Sequence, residues 1–256
     1  MKFTIFDIET LGNRELALEN AEPFKLFEPL PPFDEKAVKV GNLKKPEKIA
    51  EKIEAERAAY PQKCKEYKQK YETEKLVYEA NIVEKAALDP FCARVVAIGI
   101  KTDEKETIIQ GDEADILKQF WELWGSSTNA FVGWNSNTFD VPFLVRRSWA
   151  LGVIVPDVMR GRFIDSRFID LMEMFAVGVY GYRTGLDKVA KFFGVQGKFT
   201  GDIEGKTFAM HFLGDDPVMR KQAEQYLLCD LRATWEIAER MLNSHKEQFE
   251  EESEFC

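Results

Sequence analysis

The chain has 256 residues, a net charge of −9 and four scattered cysteines, Cys64, Cys92, Cys229 and Cys256, none in a Cys-x-x-Cys pair. That spacing argues against a zinc ribbon or a disulfide framework, and no apolar run is long enough to span a bilayer or to form a leader behind a basic start. With 45% hydrophobic and 12% aromatic residues, the chain reads as a soluble intracellular protein, one α/β domain with an insertion.

Taken in order, Phe3-Thr-Ile-Phe-Asp-Ile-Glu9 predicts a short strand rich in β-branched and aromatic residues. Side chains at i and i+2 leave a strand on the same face, so Asp7 and Glu9 point into one space. Two such acids repel unless a cation lies between them, and a hard oxygen-seeking ion such as Mg²⁺ or Mn²⁺ suits that place. A surface strand carrying two solvated acids is the alternative.

From Gly12 to Asn42 the prolines Pro23, Pro29, Pro31 and Pro32 predict irregular chain. Charged helical segments follow at Lys44 to Tyr60 and Gln62 to Leu88, with a break at Pro61. Tyr60, Cys64, Tyr67, Tyr71, Tyr78 and Ile82 make one apolar stripe on the second. This predicts a helical hairpin at about 44–88, inserted after strand one, its stripe packed on Ile49 and Ile53 of the first helix.

Arg94 to Lys101 and Glu106 to Gln110 predict strands two and three around the turn Thr102-Asp-Glu-Lys105. A helix from Asp112 to Trp124 and a fourth strand, Ala130 to Gly133, lead to Trp134-Asn-Ser-Asn-Thr-Phe-Asp140. Val141 to Leu151 is then helical, with Pro142 tolerated in the first turn. Asp140 therefore lies where a strand hands over to a helix, the usual place of sites in open α/β sheets. A fifth strand is predicted around Phe163 to Ile169, a short helix at Leu186 to Phe193 capped by Gly194, and loop from Gln196 to Gly205. The last long helix starts at Asp216-Pro217 and runs into the tail Glu250-Glu-Glu-Ser-Glu254. On it Tyr226 and Asp230 are i and i+4 and share a face.

The charge of −9 disfavours a polyanionic partner at first sight. From Val141 to Lys191, however, Arg146, Arg147, Arg160, Arg162, Arg167, Arg183, Lys188 and Lys191 outnumber Asp157, Asp165, Asp170, Glu173 and Asp187. The middle of the chain is locally basic.

Phe6-Asp7-Ile8-Glu9-Thr10, Asn135-x-x-x-Phe139-Asp140 and Tyr226-x-x-x-Asp230, in that order, resemble the three motifs of the DEDD superfamily of 3′→5′ exonucleases, most closely those of the exonuclease domain of family-B DNA polymerases. Gln225, not histidine, stands five before Asp230 and Tyr226 four before it, as in the Tyr branch. The resemblance implies a ribonuclease-H-like fold, a mixed five-stranded sheet flanked by helices. It implies that Asp7, Glu9, Asp140 and Asp230 hold two Mg²⁺ or Mn²⁺ ions, which clamp the attacking and leaving oxygens of a phosphodiester. Tyr226 then orients the attacking water. A phenol near pKa 10 is a poor base at neutral pH.

By the same resemblance Thr10 and Leu11 contact the terminal nucleotide. Trp134 and Phe139 are candidates for stacking on bases or for the core, and Asn135 for bracing the loop or the substrate. Asp170 reads as a helix cap, Asp165 as a spare acid and His211 as structural. The expected substrate is a single-stranded DNA 3′ end, with a polymerase or another replication or repair protein as a conceivable partner and no membrane. No polymerase domain fits beside this one in 256 residues. The rivals are an exoribonuclease on the same fold and a non-catalytic nucleic-acid or polymerase-binding module.

Overall fold

The computed structural model describes residues 2–160, 163–197, 199 and 201–243, so the acidic tail lies outside the described residues. The chain divides into two compact units, one of Met1–Ala17 with Lys85–Cys256, the other of Leu18–Glu84.

The first unit is built on a five-stranded sheet whose strands are β1 (Phe3–Gly12), β2 (Ala93–Lys101), β3 (Glu106–Gln110), β4 (Ala130–Gly133) and, after a small hairpin of β5 (Met159–Arg160) and β6 (Phe163–Ile164), β7 (Phe168–Asp170). Their order is β3-β2-β1-β4-β7. β1 and β3 run antiparallel to β2, whereas β4 is parallel to both β1 and β7. This is the mixed α/β sheet expected. The predicted fifth strand is shorter and later than expected, because Phe163 and Ile164 pair with Met159 and Arg160, leaving three residues for the sheet.

The period of two along β1 sorts its side chains. Phe6 and Ile8 face one layer with α3 (Glu113–Ser126) and α4 (Asp140–Ala150). There the Phe6 ring lies 5.5 Å from Phe120, 6.1 Å from Phe131 and 5.8 Å from Phe168. Burying each such ring contributes about 1.5–3 kcal/mol. Phe3 and Ile5 face the other layer, with α6 (Leu186–Phe193) and α8 (Pro217–Asn243). Asp7 and Glu9 continue this second row toward the end of the strand.

The short α5 (Leu171–Phe175) follows β7, and α7 (Gly205–Phe212) sits against α8. Sequence reading missed α7, whose capping box between Glu204 and Thr207 lacks the usual Ser or Asp at its head. The α8 start is as expected, with the Asp216 carboxylate accepting the Val218 N–H at 2.8 Å.

In the second unit the expected hairpin is corrected. Pro46–Lys85 is one continuous helix, α2, with Pro61 inside it, and it buries no residue completely. Its tyrosine stripe packs on the proline-rich chain instead of a second helix: Phe24 lies 5.4 Å from Tyr71 and 5.2 Å from Tyr78, Phe27 6.0 Å from Tyr67, and Phe33 5.5 Å from Tyr60. The tyrosine hydroxyls donate to backbone carbonyls of that strap, Tyr78 to Glu22 at 2.5 Å, Tyr71 to Lys25 at 2.9 Å, and Tyr60 to Pro31. An interior proline removes one helical hydrogen bond and costs about 3 kcal/mol. Here Tyr60 and Tyr67, on either side of it, are both held by the strap, which offsets that cost and keeps the helix whole. The irregular stretch is also interrupted by the short helix α1 (Arg14–Glu19).

Candidate active site

β1 delivers Asp7 and Glu9 at the place where β4 stops covering its edge. β4 pairs only from Phe3 to Ile5, so the N–H groups beyond need other acceptors. Asp140, the first residue of α4, supplies one, its Oδ1 accepting the Ile8 N–H at 3.1 Å. A bulge between Glu9 and Thr10 then shifts the register on β2, as bulges commonly do beside sites.

The third contribution comes from α8. Asp7 pairs with Gly99 and Glu9 with Ala97, so the row beside the two acids is small. A Cβ on Gly99 would stand 2.8 Å from Leu231 Cδ1 and 3.0 Å from Leu227 Cγ. The missing side chain thus lets α8 lie down on β2. Tyr226 and Asp230 each precede one of those leucines and are set beside the strand acids.

Electrostatics records the convergence. Burial, then Asp140 and Asp230, holds the Asp7 carboxyl well above the usual carboxylate range. Burial, then Asp7, Asp230 and Asp140, does the same to Glu9. Asp140 is pushed up to about 7 by burial and by Asp170, against the opposing bond from Ile8. Burial pushes the Tyr226 phenol up as well, helped by the charges of Asp230, Glu9 and Asp7 and by its hydrogen bond to Asp230. Glu9, Asp140 and Tyr226 are 9%, 3% and 7% exposed, whereas Asp7 and Asp230 are half-buried.

The four carboxylates, whose charges raise the proton affinity of Asp7 and Glu9, are equally a set of hard oxygen donors for a divalent cation, whose charge would reverse those shifts. In that sense the donor set fits Mg²⁺ or Mn²⁺. Among the described residues no three acidic, histidine or cysteine side chains form a ready-made metal cage.

The remaining predicted residues divide. Asn135 has a left-handed backbone, φ 61°, which asparagine tolerates better than most residues. Its N–H and that of Asn137 both donate to Asp170, at 2.9 and 3.0 Å. Its Oδ1 accepts the Thr138 hydroxyl at 2.5 Å and Arg183 Nη1 at 3.4 Å. Trp134 is packed in the α6–α8 layer with Nε1 donating to Thr184 O at 3.1 Å. Phe139 packs on the α3–α4 layer, 5.5 Å from Phe143. Thr10 donates its hydroxyl to Ala87 O at 2.5 Å, and Leu11 packs beside α7. These four side chains are thereby engaged in packing and bracing. Next to Tyr226 a cavity of about 570 Å³ opens, lined by Phe199, Ile203, Glu204, Gly205 and Lys206 among others.

Two positions carry more than sequence reading assigned. Asp170, 2% exposed, does cap α5 through Met172 N at 2.9 Å, and the same carboxylate holds the loop that leads to Asp140. Gly133 leaves room for Ser136, which a Cβ would meet at 2.6 Å. An Asp closing an apolar strand just before the apolar Leu171-Met172 was the available signal for the first. The second had none.

The fold is of one class, an α/β domain like the exonuclease domain of family-B DNA polymerases. A solved structure of this kind, the family B DNA polymerase from the hyperthermophilic archaeon Pyrobaculum calidifontis, is similar with 27% identity and a TM-score of 0.52 over 62% of this chain and 23% of the polymerase. The chain thus corresponds to less than a quarter of that polymerase's length. Residues 88–254 match the family model for predicted 3′-5′ exonucleases related to the exonuclease domain of PolB, and the chain belongs to that family. Asp140, Tyr226 and Asp230 lie within the matched stretch; Asp7 and Glu9 precede it. Among curated proteins none matches. No helix among the described residues is long and apolar enough to cross a membrane.

Proposed function

We propose that the chain is a divalent-metal-dependent exonuclease of the Tyr branch that removes nucleotides from the 3′ end of single-stranded DNA. The observation that carries this reading is the convergence of four acids from β1, α4 and α8, whose charges raise the proton affinity of Asp7 and Glu9, beside a nearly buried tyrosine.

Asp7, Glu9, Asp140 and Asp230 would hold two Mg²⁺ or Mn²⁺ ions. When bound, the ions supply the positive charge that polarises the phosphodiester and activates water. Tyr226 keeps its proton at neutral pH, donates it in a hydrogen bond to Asp230 and orients water through its hydroxyl oxygen. Buried Asp140 keeps the N–H between the two strand acids satisfied and so fixes the backbone on which they ride. Asp170 holds the loop before α4 and thereby aims Asp140.

The test is a 5′-labelled single-stranded DNA incubated with the protein, with Mg²⁺ and with chelator. A descending ladder that requires the metal, is blocked by a 3′-phosphate and is weaker on the RNA of the same sequence supports each part of the reading. Mononucleotide release from the 5′ end would refute the polarity, equal or faster decay of RNA the substrate class, and an unchanged strand with either metal the activity.

A further inference from the structure

Between α5 and α6 the chain makes an unusual turn. Val177 takes φ 48°, a left-handed conformation that β-branched residues rarely adopt, with Gly178 and Gly181 at φ 78° and 73° on either side of Tyr180. Such strain collects at ligand clamps and other functional sites. The turn lifts apolar groups into water: Tyr180 is fully exposed, Val177 is 85% exposed, and Val179 and Tyr182 are also open. At its base lies Phe175, 6.5 Å from Trp134, 6.3 Å from Tyr182 and 5.9 Å from exposed Phe192. A half-buried aromatic foot therefore supports an exposed aromatic tip.

The turn is fastened to the loop that carries Asp140. Trp134 donates to Thr184 O at 3.1 Å and Arg183 to Asn135 at 3.4 Å. In a chain of net charge −9, residues 176–192 hold Arg183, Lys188 and Lys191 against Asp187 alone. Exposed aromatics next to cations, continuous with a phosphodiester site, match one kind of occupant. Unpaired bases stack on the rings while the backbone phosphates meet the cations.

We propose that the turn from Val177 to Arg183 is a stacking platform for single-stranded nucleic acid, with Tyr180 and Tyr182 holding bases upstream of the 3′ end. This rests on the exonuclease reading for its direction, but its binding test does not. Labelled (dT)12 is titrated with the full chain in chelator, and binding followed by fluorescence anisotropy. The double variant Tyr180→Ala/Tyr182→Ala binds at least roughly thirtyfold more weakly, since two stacking rings are lost and each contributes at least about 1 kcal/mol per base. Tyr180→Trp binds at least as well as the parent. In Mg²⁺ all variants hydrolyse the nitrophenyl ester of thymidine monophosphate at the parent's rate, because that substrate has no upstream bases. Unchanged (dT)12 binding by the double variant overturns the platform. A Trp variant as weak as Ala overturns stacking, and an equal loss on the small ester means that the tyrosines merely support the site. If the parent hydrolyses nothing, the exonuclease reading falls, and the anisotropy comparison still decides the platform.

Discussion

Asp140 accepts the backbone N–H of Ile8, the residue that separates Asp7 from Glu9, at 3.1 Å. One carboxylate is thus both a proposed ligand and the clasp that joins α4 to β1. Variants at this position should separate the two duties. Asp140→Asn keeps an acceptor for Ile8 but removes the charge, whereas Asp140→Ala leaves a buried N–H unpaired at a cost of ~1–3 kcal/mol. Both should lose hydrolysis to background, and only Asp140→Ala should fall in stability relative to Asp140→Asn by that amount in urea unfolding. Equal stability of the two would remove the clasp.

The Asp7 carboxyl is held well above the usual carboxylate range by burial and by Asp140 and Asp230, against the opposing bond from the Ile8 N–H. Asp7→Ala should abolish cleavage while the metal-free protein melts at the same or a higher temperature. A marked drop in melting temperature would mean that Asp7 holds the fold together.

The shared stress also sets a pH dependence. A raised carboxyl leaves the folded state holding more protons than the unfolded chain between pH 3.8, the ordinary aspartate value, and about 7, where Asp140 titrates. Stability in chelator should therefore fall as pH rises through that window and recover on acidification. Melting followed by circular dichroism should give a higher transition at pH 5 than at pH 8, with the gap narrowed by Asp140→Asn. A transition that climbs from pH 5 to pH 8 would contradict the assignment.

Tyr226 is proposed to position water, and burial makes it a still poorer base than a free phenol. Tyr226→Phe should slow turnover roughly ten- to hundredfold, the equivalent of one positioning hydrogen bond at ~1–3 kcal/mol. The pH–rate profile should keep its shape. A limb that disappears in the Phe variant would make Tyr226 the titrating group.

Gly99 tests the seating of α8. A Val side chain there meets Leu227 and Leu231 and must push the helix outward, at about 1–3 kcal/mol of overpacking. Gly99→Val should cut hydrolysis far more than it lowers the unfolding midpoint, because Tyr226 and Asp230 move with the helix. Full activity in a folded Gly99→Val protein would show that α8 is not seated by this contact.

The candidate site was legible in the sequence because its parts follow local rules. A period of two puts Asp7 and Glu9 together, a strand-to-helix handover marks Asp140, and an i,i+4 step pairs Tyr226 with Asp230. What escaped depends on contacts between distant segments. Pro61 reads as a helix break from propensity alone, and only the rings of the strap, held against Tyr60 and Tyr67, keep the helix continuous. Asp170 reads as a cap, and its second task involves backbone groups 33 and 35 residues away. Likewise Glu113, which looks like a first-turn acid, binds Arg147 through two bonds of 2.7 and 2.8 Å and accepts the Val95 N–H, a buried knot without local signature.

A Cβ on Gly12 would touch Ala86 at 2.7 Å. Chain therefore departs from the sheet and rejoins it at a single point, and everything between is an excursion that returns to its own doorstep. Seen as inheritance, such a seam is where a module can be gained, exchanged or lost in one event without re-threading the sheet. Seen as engineering, it is where the chain can be opened, replaced between Leu18 and Glu84 by a few flexible residues, or made to carry a foreign passenger, while the four acids and the tyrosine of the proposed centre stay on their own strands and helices.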